Sequence, residues 1–420
     1  VRIFLWHGYL LSGTGSNEYT RALARTLSIQ GHDVVVLSQE PRPRDHDLGG
    51  ATALRPEVPG RLPVFVLDHY AEATPALLPT MQRGEVDQFV DAQVEAIRAA
   101  GPADLLIVNH VLLGGPVGAA SGLPFVVKAH GSELEYAMRG HPDLCIWARQ
   151  SLEAARDVVV GSEHVGRVLA DLVGPIAARV VTPGVDIDQM VPDDRASARA
   201  ALIEQARLDP VNPGDERLPD AHNAERIAAF LAGSDRPTVV YVGKLSQQKG
   251  VHLLLDALEG LDVRAFIVGF GPARGDLERS AADKGLDVLF TGPLQHRHLA
   301  HLWAAADVSV VPSVFPEAFG MVAAEAAATG CPPIVARHSG LAEVADGIST
   351  FLPEHLRTAI AFRRNDAADL RRALLELLSL GADDRGELSR GCRSAVKALW
   401  SWDSVARQMV GAVIPTGGQV

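Results

Sequence analysis

Short apolar runs rich in β-branched residues alternate with longer amphipathic stretches along most of this 420-residue chain, and the series occurs twice. A continuously hydrophobic strand must be covered on both faces, and repeated strand-then-helix alternation provides that cover around a parallel sheet. The first series predicts strands over Val1 to Trp6, Asp33 to Ser38, Val64 to Asp68, Leu105 to Asn109, Phe125 to Ala129 and Asp157 to Ser162, all in one sheet. Asn17 to Gln30 and Glu85 to Ala100 read as helices between them, the second with Val86, Phe89, Val90, Val94 and Ile97 at helical spacing. Residues 41 to 63, rich in Pro and Arg, read as an exposed loop.

The periodicity breaks between about Pro192 and Pro237, where Asp, Arg, Pro and Asn accumulate. It then restarts, with strands expected at Thr238 to Val242, Ala265 to Val268, Val288 to Thr291, Val308 to Val311 and Pro333 to Ala336. The chain therefore reads as two doubly wound, Rossmann-like α/β domains, residues 1–190 and 191–398. A last helix over 399–413 carries Leu399, Trp400, Trp402, Val405, Met409 and Val413. Ligands of such sheets bind beyond the carboxyl ends of the strands, so an active site is expected in a cleft between the domains.

Composition removes other classes. A formal charge of −12 argues against a nucleic-acid footprint and against anionic membranes. Cys145, Cys331 and Cys392 are too scattered for a disulfide framework or a zinc site, and read as buried thiols. No run is long and apolar enough to span a bilayer, and the first residues lack the pattern of a signal peptide, so a cytoplasmic location is the default expectation.

Four segments carry residue types suited to chemistry. In PSVFPEAFGMVAAEAAATGCP (312–332), a strand ends, a loop follows and a helix is expected to open near Ala318, with Glu317 at its mouth and Glu325 about two turns deeper. The amides of Phe319, Gly320, Met321 and Val322 at that helix start suit an anion or a polarised hydroxyl. An isolated pair of glutamates is more often a helix-start acid and a solvated one, but the alanines around Glu325 leave it on an apolar helix, where it needs a polar partner. In GKLSQQKG (243–250), Lys244 and Lys249 stand on a strand-to-helix loop and could neutralise a diphosphate, although loop lysines are more often solvated. The turn Ser12 to Ser16 offers the amides of Gly15 and Ser16 to an anion. His130, in FVVKAHGSELE (125–135), follows a buried strand directly; it suits either a catalytic group or a core histidine bonded to a carbonyl.

In this order and spacing the segments resemble the retaining glycosyltransferases of family four, which have the GT-B architecture. The landmarks are HGSE at 130–133, VVVGSEHV at 158–165, TPGVD at 182–186, GKLSQQKG at 243–250, IVGFGP at 267–272 and the pair Glu317 and Glu325. The resemblance implies an acceptor-side first domain, a donor-side second domain and a C-terminal helix that crosses back to the first. It assigns Lys244 and Lys249 to the donor diphosphate, Glu325 to the ribose hydroxyls, Glu317 with the amides after it to the transferred sugar, and His130 to the region of the anomeric centre. It places the nucleobase near Gly292 to Gln295, and it favours a UDP-sugar, the commonest donor class of the family, used as substrate with no cofactor and no metal. Three departures stand out: Lys244 where the family usually has Arg, Ser16 in place of the second glycine of the first turn, and a linker from 192 to 237 longer than the family needs.

Rival motifs fit poorly. GFGPARG at 269–275 has its third glycine one position late for a dinucleotide fingerprint. His296, His298 and His301 have no matching cysteines or carboxylates for zinc and read as a solvated helix start. Asp186-Ile187-Asp188 mimics a metal-binding triplet of another glycosyltransferase architecture, but at a domain edge. Hexosyl transfer, isomerisation of a nucleotide sugar without an acceptor, and inactive sugar-nucleotide binding are the function classes left open. An isomerase should show a cluster of carboxylates, and an inactive binder should lack some of His130, Lys244, Lys249 and Glu317. The first 190 residues hold 14 Arg and 1 Lys against 22 acids, a net of −7, which favours a small soluble polar acceptor, neutral or cationic, over a lipid.

Overall fold

The computed structural model describes residues 1–11, 13–67, 70, 72–232 and 236–411. Ser12 of the first turn, Asp68 of an expected strand, residues 233–235 of the linker and Val413 of the last helix lie outside the described residues. The chain divides into two compact units, Val1–Gly184 with the chain from Trp402 onward, and Val185–Ser401.

The first unit is built on a parallel sheet of seven strands, β1 (Arg2–Trp6), β2 (Asp33–Leu37), β3 (Thr52–Leu54), β6 (Leu105–Asn109), β7 (Phe125–Lys128), β8 (Asp157–Val160) and β9 (Arg179–Val180), in the order β3-β2-β1-β6-β7-β8-β9. Ile3 is level with Val34 on one side and Leu105 on the other, so the apolar runs of three strands stack in register. The strand expected from Val64 is a correction. Leu62–Val64 (β4) pairs with Pro75–Leu77 (β5) in a separate sheet of two strands, because Pro63 has no N–H to give a central ladder. Within the expected loop 41–63, Thr52–Leu54 forms the edge strand instead; its half-exposed TAL carries no apolar run.

The last helix also starts later than expected. It begins at Trp402, because Ser401 forms a bridge with Val185 and Leu399 ends the preceding helix in the second unit, and it is described to Gly411. Trp402 lies flat on Gly184, where a Cβ would come within 2.4 Å of the indole, and Val405, Met409 and Val410 join the core of Ile3, Leu5, Leu23 and Leu27. Burying those three side chains contributes on the order of 5 kcal/mol, which holds the helix to this unit.

The second unit repeats the plan with six parallel strands, β10 (Thr238–Val242), β11 (Arg264–Val268), β12 (Val288–Gly292), β13 (Val308–Val311), β14 (Pro333–Ala336) and β15 (Ala361–Phe362), in the order β12-β11-β10-β13-β14-β15. The linker is not irregular: helices Arg195–Arg207 and Asn223–Leu231 lie within it, and both pack in the second unit. In each sheet the order reverses beside the first strand, between β1 and β6 and between β10 and β13. A crevice opens at such a switch point beyond the strand ends.

Candidate active site

In the second unit the two loops at the switch point touch. A Cβ on Gly250 would fall 2.1 Å from the carbonyl oxygen of Pro312, and Val314 N–H donates to Gln248 at 2.9 Å. Gly269, at φ +138°, lets the end of β11 close on that of β10, since a Cβ there would sit 1.9 Å from the Gly243 oxygen. Bare backbone thus forms the floor under the GKLSQQKG loop.

On this floor Lys249 Nζ lies 2.5 Å from Glu317 Oε1, and Ser313 Oγ donates to the same oxygen at 2.6 Å. Glu317 N–H donates to Ser339 Oγ at 2.9 Å, Gly340 N–H donates to the Glu317 carbonyl at 3.0 Å, and His338 Nε2 donates to Ser313 O at 2.7 Å. Both backbone groups and one carboxylate oxygen of Glu317 are therefore fixed while its side chain stays partly open to solvent. The helix opens at Met321, with Gly320 at φ +118° before it, and not near Ala318. Glu317 consequently sits on the loop, so the expected two-turn offset within one helix does not describe the pair. Phe319 is buried against Trp400, ring centroids 5.5 Å apart, which anchors the loop ahead of the amides of Gly320, Met321 and Val322. Lys244 is exposed at the end of β10, its carbonyl accepting from Tyr241 Oη at 3.0 Å. Glu325 finds the polar partner its apolar helix demands in His296, 3.2 Å away. The histidine run is not a solvated helix start throughout: His298 is fully buried, with Nε2 3.0 Å from Asp209 of the linker.

The first unit holds a buried polar cluster at its own switch point. β1, β6 and β7 are each followed closely by a histidine, His7, His110 and His130. The His110 ring stands 5.6 Å from that of His7 and 4.7 Å from that of His130. His130 Nε2 donates to Asn109 Oδ1 at 2.8 Å, which leaves the lone pair on Nδ1. Burial, followed by the nearby charge of Lys128, holds the His130 imidazole well below the usual histidine range, so it is neutral at physiological pH. Burial likewise lowers His7 to about 4 and Lys128 to about 7; Lys128 Nζ donates to Val181 O at 2.6 Å. Glu133, fully buried, accepts from His130 N–H at 3.0 Å and Leu112 N–H at 3.1 Å, tying together the loops after β6 and β7; burial pushes its carboxyl up to about 8. At the opening of the first helix, Gly15 is the first helical residue and Ser16 O accepts from Thr20 Oγ1 at 2.7 Å.

Lys249 and Glu317 are thus brought together, Glu325 is placed with His296, and His130 stands in its own cluster; no hydrogen bond joins Lys244 to them among the described residues. Sequence reasoning missed Ser313, Asn109, Glu133, Lys128, His7 and His110. The last two had a visible signal, because RIFLW, LLIVN and FVVKA are each followed by a histidine.

Two Rossmann-like units, each with a polar cluster at its switch point, are the plan of the GT-B glycosyltransferases, and the family follows from the similar proteins. The family model for glycosyltransferase family 4 matches residues 13–189, and that for glycosyl transferases group 1 matches residues 236–380. The chain belongs to glycosyltransferase family four. It is 30% identical over 334 residues to the D-inositol 3-phosphate glycosyltransferase of Mycobacterium tuberculosis, a match that spans 74% of this chain and 62% of that protein. Among solved structures, sucrose-phosphate synthase of Thermosynechococcus elongatus aligns with a TM-score of 0.67 at 24% identity over 97% of both chains. The Anabaena protein HepE, in complex with UDP, aligns with a TM-score of 0.71 at 15% identity over 97% of this chain and 98% of that one. Among the described residues no helix is long and apolar enough to cross a membrane.

Proposed function

We propose that the protein is a retaining hexosyltransferase that moves a sugar from a nucleoside diphosphate sugar, a UDP-sugar in the first instance, to a hydroxyl of a small soluble polar acceptor. The observation that carries this reading is the cluster of Lys249, Glu317 and Ser313 at the switch point of the second sheet, with Lys244 on the same loop. Lys244 and Lys249 stabilise the charge that grows on the departing diphosphate, and the reading gives the metal no part because the two ammonium groups supply that charge. Glu325 takes the ribose hydroxyls, and Glu317 with the amides of Phe319, Gly320, Met321 and Val322 takes the hydroxyls of the transferred hexose. In the first unit, neutral His130 presents Nδ1 to the donor sugar, and the amides of Gly15 and Ser16 serve the diphosphate side.

In the step itself the bond from C1 to the diphosphate oxygen breaks and a bond from C1 to the acceptor oxygen forms on the same face. The acceptor proton leaves with the diphosphate. The relatives' names support the broader classes: the mycobacterial protein is named D-inositol 3-phosphate glycosyltransferase, after a small polar polyol phosphate, and HepE is described in complex with UDP and with UDP-glucose. The test is incubation with a panel of nucleotide sugars and polyol or aminocyclitol acceptors, reading the released nucleoside diphosphate. Acceptor-dependent release is expected from a UDP-hexose; release from no nucleotide sugar would overturn the reading.

A further inference from the structure

Residues 208–222 lie between the two linker helices, within the 192–237 linker whose excess length the family resemblance leaves without a role, and they are firmly docked. Asn212 knits it, its Nδ2 donating to Asp215 O at 3.0 Å and to Pro219 O at 2.9 Å while its Oδ1 accepts from Gly214 N–H and Asp215 N–H. One end is fixed by Asp209, which pairs with Arg297 and approaches His298. The other end lies on the carboxyl end of β12: Asp220 N–H donates to Thr291 O at 2.9 Å, and Asn223 Nδ2 donates to the same oxygen at 2.8 Å. A Cβ on Gly292 would fall 2.7 Å from Asp220 Oδ1.

The Asp220 carboxylate is held by a bidentate fork from Arg274, Nη1 to Oδ1 at 2.8 Å and Nη2 to Oδ2 at 2.6 Å, and Arg226 Nη1 also donates to Oδ2 at 3.1 Å; Arg274 Nε donates to Glu278 at 2.8 Å. Arg274 opens the helix that follows β11. The fork therefore stands over the carboxyl ends of β11 and β12, outward from the lysine loop on β10. Glu325, to which the proposed function gives the ribose, touches His296 at the start of the helix after β12. A nucleotide running from the lysines past Glu325 would carry its base toward this same corner.

Resting on that donor reading, we propose that residues 208–222 form the outer wall of the base subsite, and that Asp220 sets base selectivity by occupying Arg274. A guanidinium free to act in two directions pairs with O6 and N7 of guanine. Locked on Asp220, Arg274 cannot do so, and guanine loses the contact that would favour it over uracil.

The test is calorimetric titration of the full chain and of its Asp220→Asn variant with UDP, GDP, ADP and inorganic pyrophosphate. Asp220→Asn keeps the shape of the side chain, weakens the fork and frees Arg274. The expected result is a shift of the GDP-to-UDP affinity ratio toward GDP by about tenfold, the scale on which a single contact discriminates between ligands. Pyrophosphate affinity should stay unchanged, which also reports that the lysine loop is intact. In the double variant Asp220→Asn/Arg274→Gln the gain for GDP should disappear. An unchanged ratio with pyrophosphate still bound overturns the inference and makes the fork a purely structural lock. Failure of the parent to bind any nucleoside diphosphate overturns the donor reading, and this inference with it. A variant that no longer binds pyrophosphate is replaced by Arg274→Gln alone, which must leave UDP affinity within about threefold of the parent while GDP stays excluded; loss of UDP binding there contradicts the proposal.

Discussion

Replacing Lys249 by alanine separates the part its ammonium group plays in folding from the part the proposed function gives it in transfer. In the resting molecule it pairs with Glu317 while the two side chains remain 34% and 22% exposed. A pair so open to solvent contributes about 0 to 1 kcal/mol to folding. Its loss does not strand the carboxylate either, because Ser313 Oγ still reaches Glu317 at 2.6 Å. On the proposed function the same ammonium faces, during transfer, the charge that develops on the diphosphate, and removing one donor from such a site costs about 2.7 to 4 kcal/mol. The expected outcome is a urea midpoint close to the parent's together with a kcat lower by about 10² to 10³ at saturating UDP-hexose. Since the interaction strengthens in the transition state, kcat and kcat/KM should fall together. Lys249→Arg keeps the charge and should recover part of the loss. The reasoning is refuted by a kcat loss under about tenfold in a folded variant, or by a loss of activity that unfolding accounts for in full.

Three further outcomes follow from the geometry. Exhaustive chelation should leave the rate of nucleoside diphosphate release unchanged; loss of activity restored by magnesium contradicts the charge assignment to Lys244 and Lys249. Glu133, raised from 4.5 to about 8 by burial, favours the native state fully below 4.5 and loses that advantage as pH rises through about 8. Glu133→Gln should therefore flatten the fall of the urea midpoint across that window, and an unaltered slope shows that Glu133 is not protonated in the native protein. Gly269→Ala places a Cβ 1.9 Å from the Gly243 oxygen at φ +138°, so it should destabilise the second unit by about 1 to 3 kcal/mol or more and raise KM for the donor. A midpoint and KM equal to the parent's would show that the loop contact does not shape the donor site.

How far the sequence could be read depends on how each feature is encoded. The long strands were legible because a strand buried on both faces must be apolar throughout, as in LLIVN and TVVYV. The strands Thr52–Leu54, Arg179–Val180 and Ala361–Phe362 were not, being short edge pieces with no apolar run. Lys249 and Glu317 were visible as residue types at strand ends, but their pairing depends on which loops meet at the switch point, and that follows from strand order and not from spacing along the chain. Ser313 and Ser339 act through positions fixed by tertiary contacts, and nothing local marks them. The docking of 208–222 was hidden for the same reason: Asp220 meets Arg274 across 54 positions of sequence.

The central claim is transfer with retention from a nucleoside diphosphate hexose to a small hydroxylated acceptor. It is tested most directly by following the 420-residue chain with a UDP-hexose of known anomeric configuration and a polyol acceptor by NMR, reading the coupling at the anomeric carbon of the first product formed. The account expects an α-linked glycoside from an α-linked donor, appearing in step with UDP. A β-linked first product, or UDP released with free hexose alone however much acceptor is added, would contradict it.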